Sequence, residues 1–257
     1  MRFRAVFFDI DGTLVPIGAR EMLPSTVRAL DELRRRGIKV IVNTGRPYYL
    51  IDNLGGYPFD GYVCMNGGLV LLGGEVVFKQ PVDREMAGKV IDICRERDIA
   101  CVAFLQDTFQ LSFHNARERE ASEKIHIRFD RVGPLEGLRE QDVFQFTVYV
   151  TPEEERVFSG LHDLVFPRWS PFFTDVNPSG TSKAAGIARM AEALGIGKEE
   201  TLAFGDGGND ISMIEAAGLG VAMGNAGDPV RTVADYVTQT AEADGIAVAL
   251  RHFGLIP

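Results

Sequence analysis

The chain has 257 residues, 46% of them hydrophobic, which is enough for a sizeable core in one large domain or two modest ones. Its 36 acidic residues against 27 basic ones give a formal net charge of −9, which disfavours a general affinity for nucleic acid or anionic membrane. The cysteines, Cys64, Cys94 and Cys101, lack metal-ligand spacing, so neither a disulfide framework nor a zinc site is expected, and they read as buried thiols.

The first apolar run, residues 3–8, reads as a strand and ends in Asp9-Ile10-Asp11-Gly12-Thr13. Asp9 and Asp11 cut it before it could serve as a signal segment, and no stretch approaches the ~18 apolar residues of a membrane span, so a cytoplasmic protein is expected. Two carboxylates this close repel unless a cation or a proton lies between them. Gly12 permits the tight departure that leaves both at the carboxyl end of the strand, where open α/β sheets bind ligands.

Residues 24–36 carry Val27, Leu30 and Leu33 at helical spacing, with Gly37 as a stop. A second buried strand over 38–42 ends in Asn43-Thr44-Gly45-Arg46, and Pro47 is expected to open another helix. A third strand covers 62–65, followed by a hairpin of 69–72 and 75–78 around Gly73-Gly74. Past Pro81 the texture changes to a helix over 83–97, strands near 99–105, 109–113 and 143–150, a helix beginning near Pro152, and a strand over 172–176. Within it, Arg117-Glu118-Arg119-Glu120 reads as a solvated face. This region has its own elements and no catalytic-looking cluster, which implies an inserted second domain.

The βα rhythm returns at Ser182 with a helix to about Leu194 and a strand over 201–204 that runs into Gly205-Asp206-Gly207-Gly208-Asn209-Asp210. A helix over 211–217, a short strand over 220–223 and helices near 229–234 and 242–253 complete the chain. Residues 1–81 and 178–257 are thus expected to share one Rossmann-like parallel sheet, with 82–177 as an inserted α/β domain.

Four polar clusters punctuate that sheet: Asp9/Asp11, Thr44/Gly45, Lys183 and Asp206/Asn209/Asp210. Carboxylates for a hard cation, one lysine and N–H donors are what metal-assisted phosphoryl transfer needs. Each also has a plainer reading: an Asp that forms a turn, a Thr44 or Asn209 that caps a helix, a Lys183 on the surface. Arg46 reads equally as a substrate-steering cation and as a surface ion pair. Arg168, Trp169 and Asp175 together suit a polyol, although a lone Trp is more often packed core; His114 and His126 have weaker claims.

Taken in order, Asp9-Ile10-Asp11-Gly12-Thr13, Thr44-Gly45-Arg46, Lys183 and Gly205-Asp206-Gly207-Gly208-Asn209-Asp210 resemble the four motifs of the haloacid dehalogenase superfamily of phosphohydrolases. The chain is most similar to its Cof-like, type IIB branch, with further matches at Asn66-Gly67-Gly68, Val221-Ala222-Met223-Gly224-Asn225-Ala226 and Ala234-Asp235-Tyr236-Val237-Thr238. The resemblance implies an α/β core domain with an inserted α/β cap domain that sets substrate specificity. It makes Asp9 the nucleophile and Asp11 the general acid and base. Magnesium would be held by Asp9, Asp11 through its carbonyl, Asp206 and Asp210, the last ligating or orienting. Phosphate oxygens would be held by Ile10, Thr44, the Gly45 amide, Lys183 and Asn209. The implied substrates are small phosphorylated metabolites, sugar phosphates first and cofactor phosphates next, with no obligatory protein partner. A phosphomutase and a non-enzymatic phosphoacceptor or metabolite-sensing module are the alternatives.

Overall fold

The structure is a computed structural model describing residues 3–125 and 127–257, so His126 lies outside the described residues. The chain forms two compact units, Met1–Lys79 with Ser182–Pro257, and Gln80–Thr181. Residues 80–81 and 178–181, read from the sequence as core, belong to the second unit. There the strand Thr174–Pro178 runs on to Pro178, and Gln80 Nε2 donates to Ser179 O at 3.0 Å.

The first unit opens with β1 (Ala5–Phe8), α1 (Pro24–Arg35), β2 (Lys39–Asn43), β3 (Gly61–Cys64) and the hairpin β4 (Leu69–Leu72) and β5 (Glu75–Lys79). The helix expected after Pro47 is a single 3-10 turn, Tyr48–Leu50. Gly55 and Gly56, both at positive φ, and Pro58 follow too closely for a longer ladder to propagate.

The second unit contains α2 (Arg84–Glu96), β6 (Cys101–Phe104), β7 (Phe109–Leu111), α3 (Ala116–Ile125), β8 (Gln145–Val148), β9 (Leu164–Val165) and β10 (Thr174–Pro178). Among the described residues its strands form one sheet in the order β7-β6-β8-β10-β9. Val90, Ile91 and Cys94 of α2 pack on Phe146, Val148 and Val176 of that sheet. The helix expected near Pro152 is a 3-10 helix, Glu154–Phe158, that buries only Phe158 and so lacks the apolar stripe of a longer one.

Glu118 corrects the reading of its charge run as a solvated face. It is buried on α3, where its carboxylate accepts from Ser122 Oγ at 2.8 Å and lies 2.8 Å from His114 Nδ1. Trp169 is not packed core: it is 44% exposed, its ring set edge-on against Phe173 and its Nε1 donating to Asp175 Oδ2 at 3.2 Å. Arg168 is bound within its own unit by Glu155 and by the carbonyls of Val150, Ser170 and Phe173.

The chain returns to the first unit through α4 (Lys183–Leu194), β11 (Thr201–Gly205), α5 (Ile211–Ala216), β12 (Leu219–Ala222), α6 (Asp228–Val233), β13 (Tyr236–Val237) and α7 (Gly245–His252). Among the described residues the sheet order is β13-β12-β11-β1-β2-β3-β4-β5, parallel except for the antiparallel β3-β4-β5 edge. All of β1 is buried because both faces are covered: Val6 and Phe8 face Leu30, Leu33 and Leu250, while Ala5 and Phe7 face Ile187, Met190 and Met213. Phe8 pairs with both Val42 and Phe204. That register brings the ends of β1, β2 and β11 to one edge, so Asp9, Thr44 and Asp206 leave the sheet side by side.

Among the described residues no helix is long and apolar enough to cross a membrane. The three cysteines are buried free thiols.

Candidate active site

Asp9 extends the β1 ladder by one residue, its N–H donating to Phe204 O at 3.0 Å, and so stands at the sheet edge with its carboxyl end-on. The loop behind it closes through Gly12 N to Val15 O and Val15 N to Ile10 O, at 2.8 and 2.9 Å. Gly12 takes φ +91°, and a Cβ there would stand 2.2 Å from Asp206 Oδ2, so only glycine fits against that carboxylate. Ile10 buries its side chain in the core, leaving its backbone as the part that can face a ligand.

Asp206, at the end of β11, is held on both oxygens. Thr13 Oγ1 donates to Oδ1 at 2.9 Å, and Asn225 Nδ2 donates to Oδ2 at 3.0 Å and to Gly12 O at 2.9 Å. Asp210 closes the same turn, its Oδ2 accepting from Asp206 N at 2.9 Å and Gly207 N at 2.8 Å. Asn209 lies half-buried in this turn. Ser182 caps α4 by accepting from Ala185 N at 3.0 Å, which places Lys183 in the first turn of the helix. The Lys183 side chain is wholly buried, its ammonium donating to Asp9 Oδ1 and to Asp210 Oδ1.

One carboxylate oxygen from each of Asp9, Asp206 and Asp210 lies within 4.8 Å of the others. Burial first and Asp210 next hold the Asp9 carboxyl well above the usual carboxylate range, against the pull of Lys183. Burial and Asp210 likewise push Asp206 up to about 7, although the Thr13 hydrogen bond opposes them. Burial pulls Lys183 down, but Asp210 and Asp9 outweigh it and raise it above the ordinary lysine value. Three carboxylates facing one ammonium leave an excess of negative charge in a poorly hydrated site. An all-oxygen donor set of this kind fits a hard divalent cation rather than a thiophilic one.

Asp11 points elsewhere. Its side chain is 48% exposed and is gripped by Arg46, whose Nε and Nη2 each donate to one of its oxygens at 2.8 Å. Of its two readings, Arg46 thus forms the ion pair, with the half-exposed Asp11 as its partner. Thr44 continues from β2, its N–H donating to Val63 O at 2.8 Å while its Oγ1 accepts from Arg46 N at 3.1 Å. Asn43, fully buried, donates from Nδ2 to Lys183 O at 3.0 Å and so ties the end of β2 to the start of α4. Thr13, Asn43 and Asn225 carry no signal of their own in the sequence. Thr13 and Asn225 lie inside the segments 9–13 and 221–226, but only tertiary contact gives them partners.

The family model for haloacid dehalogenase-like hydrolase matches residues 6–250. YkrA of Bacillus subtilis, which carries a phosphatase name, is 32% identical over 100% of both chains. A solved sugar phosphatase of haloacid dehalogenase subclass IIB is 36% identical, covers 98% of this chain and 100% of its own, and superposes with a TM-score of 0.92. A phosphatase of the same superfamily from Bacteroides thetaiotaomicron is 34% identical, covers 99% and 96%, and also gives 0.92. The chain belongs to the haloacid dehalogenase-like hydrolases, in their subclass IIB, and is a phosphatase of that family.

Proposed function

We propose that the protein is a magnesium-dependent phosphatase of small phosphate monoesters, sugar phosphates first, working through an aspartyl phosphate on Asp9. The observation that carries this reading is the gathering of one carboxylate oxygen each from Asp9, Asp206 and Asp210 within 4.8 Å of one another, with the Lys183 ammonium bound to Asp9 and Asp210. Magnesium, held by Asp9, Asp206 and the Asp11 carbonyl, would supply the positive charge that lets an anionic nucleophile approach an anionic ester. Asp210, with one oxygen on two backbone N–H groups and the other on Lys183, orients its neighbours.

An Asp9 oxygen attacks phosphorus and the P–O bond to the alcohol breaks, with Asp11 giving its proton to the departing oxygen. Water then attacks the acyl phosphate, Asp11 takes the water's proton, and inorganic phosphate leaves with the Asp9 carboxylate restored. Thr44, the backbone amides of Ile10 and Gly45, Lys183 and Asn209 hold the phosphoryl oxygens throughout. Asp11 must exchange its Arg46 partner for the leaving oxygen before it can donate. The inserted unit, residues 80–181, carries the recognition of the leaving group, and the subclass IIB neighbour named a sugar phosphatase supports a sugar there.

The test is release of inorganic phosphate from a panel of sugar and cofactor phosphates by purified protein with magnesium. Sugar phosphates should be turned over most efficiently, and Asp9→Asn should release none. Turnover that survives Asp9→Asn would remove the nucleophile assignment, and sugar-phosphate isomers without free phosphate would mean a mutase.

A further inference from the structure

Beside the loop that carries Thr44 and Gly45 lies a backbone turn in an unusual conformation. Met65, Asn66 and Gly67 take positive φ in succession, 50°, 52° and 90°. Residues other than glycine hold such angles only where their surroundings enforce them, and such segments cluster at functional sites.

The enforcing contacts reach both halves of the candidate site. Met65 N donates to Arg46 O and Asn66 N to Thr44 O, each at 3.2 Å, so the turn grips the carbonyls on either side of Gly45. Asn66 is 3% exposed, and a Cβ added to Gly45 would stand 3.2 Å from its Oδ1 and 3.3 Å from its Nδ2. On the other side Gly67 presses against α4 so closely that a Cβ there would lie 2.4 Å from Ser182 O and 3.2 Å from Gly186 N. One turn therefore touches the Thr44–Gly45 backbone and the residue that precedes Lys183.

A glycine at position 66 would take φ +52° without strain, so the backbone alone does not call for an asparagine. Asparagine tolerates this region better than most side chains, and here it also fills the space over Gly45. We infer that Asn66 is a positioning residue for phosphate binding, its side chain fixing the Gly45 amide in register with Lys183. The inference rests on the proposed reading of Thr44, Gly45 and Lys183 as the residues that hold phosphate.

Asn66→Gly separates positioning from folding, because it relieves the left-handed strain while removing the side chain. With magnesium present, Ki for inorganic phosphate as a competitive inhibitor should rise about ten-fold and kcat/KM should fall by a similar factor, mainly through KM. The thermal midpoint should stay above the assay temperature, because relief of the left-handed angle offsets part of the lost packing. An unchanged Ki and KM would overturn the inference and leave the turn a purely structural feature. If Asn66→Gly does not fold, Asn66→Ser is assayed in its place below its own midpoint, with the same two outcomes. The control is the wild type beside Asp9→Asn: a wild type that releases no phosphate counts against the phosphatase reading, whereas an active wild type with an unaltered Asn66→Gly counts against the positioning role alone.

Discussion

Replacing Lys183 by methionine tests the electrostatic balance of the site most directly. Methionine keeps much of the length and flexibility of the side chain, so the substitution mainly removes a charge that is fully buried between Asp9 and Asp210. Removing one partner of a buried ion pair costs about 3–5 kcal/mol, because the stranded charge loses its counter-ion without regaining water. A proton can partly replace the lost cation. Asp9 is already raised by burial and by Asp210, and Lys183 is the cation that holds it down, so in the variant it rises further. A carboxyl raised in the folded state binds its proton more tightly there than in the unfolded chain. Its contribution to stability is therefore complete below the unfolded value and is lost as pH climbs through the folded one. In metal-free buffer Lys183→Met should accordingly lose about 3 kcal/mol at pH 8 and less at pH 5. At about 2–4 °C per kcal/mol for a protein of this size, the midpoint at pH 8 falls by roughly 6–12 °C. Calorimetric scans of both proteins at the two pH values supply the measurement. An equal fall at both, or none at pH 8, would refute the reasoning.

Asp11→Asn should lower kcat by about 10²–10⁴-fold, the usual worth of a general acid and base. Because the side chain is half exposed, its midpoint should move little, and undiminished turnover would contradict the shuttle role. Chelation should stop phosphate release by the wild type. Magnesium should also raise the midpoint more at pH 8 than at pH 5.5, since Asp206, pushed up to about 7, and Asp9, also raised, must shed protons before they bind a cation. Equal stabilisation at the two pH values would count against those carboxylates as ligands. Gly12→Ala forces a Cβ into Asp206 Oδ2 at 2.2 Å on a backbone of φ +91°, so both midpoint and turnover should drop. A variant with native values of both would show that the loop has room to spare.

The amino-acid order by itself determined the α/β alternation, because each buried parallel strand must be apolar throughout and each covering helix must carry a stripe, and both periods are local. It also placed Asp9 and Asp206 at the carboxyl ends of apolar strands and Lys183 at the start of a helix, because those boundaries are set by local composition. Short 3-10 turns after Pro47 and Pro152 were less legible, because proline announces a helical start and says nothing about its length. Nor could a run such as Arg117-Glu118-Arg119-Glu120 disclose that Glu118 turns inward, as the face that a helix buries depends on what packs against it. The Arg46 grip on Asp11, the Asn225 and Thr13 bonds to Asp206 and the strained turn at Asn66 came from tertiary structure alone. Each joins residues that are remote in the chain or turned by local backbone angles, and those distances exist only once the strands have paired and brought their ends to one edge.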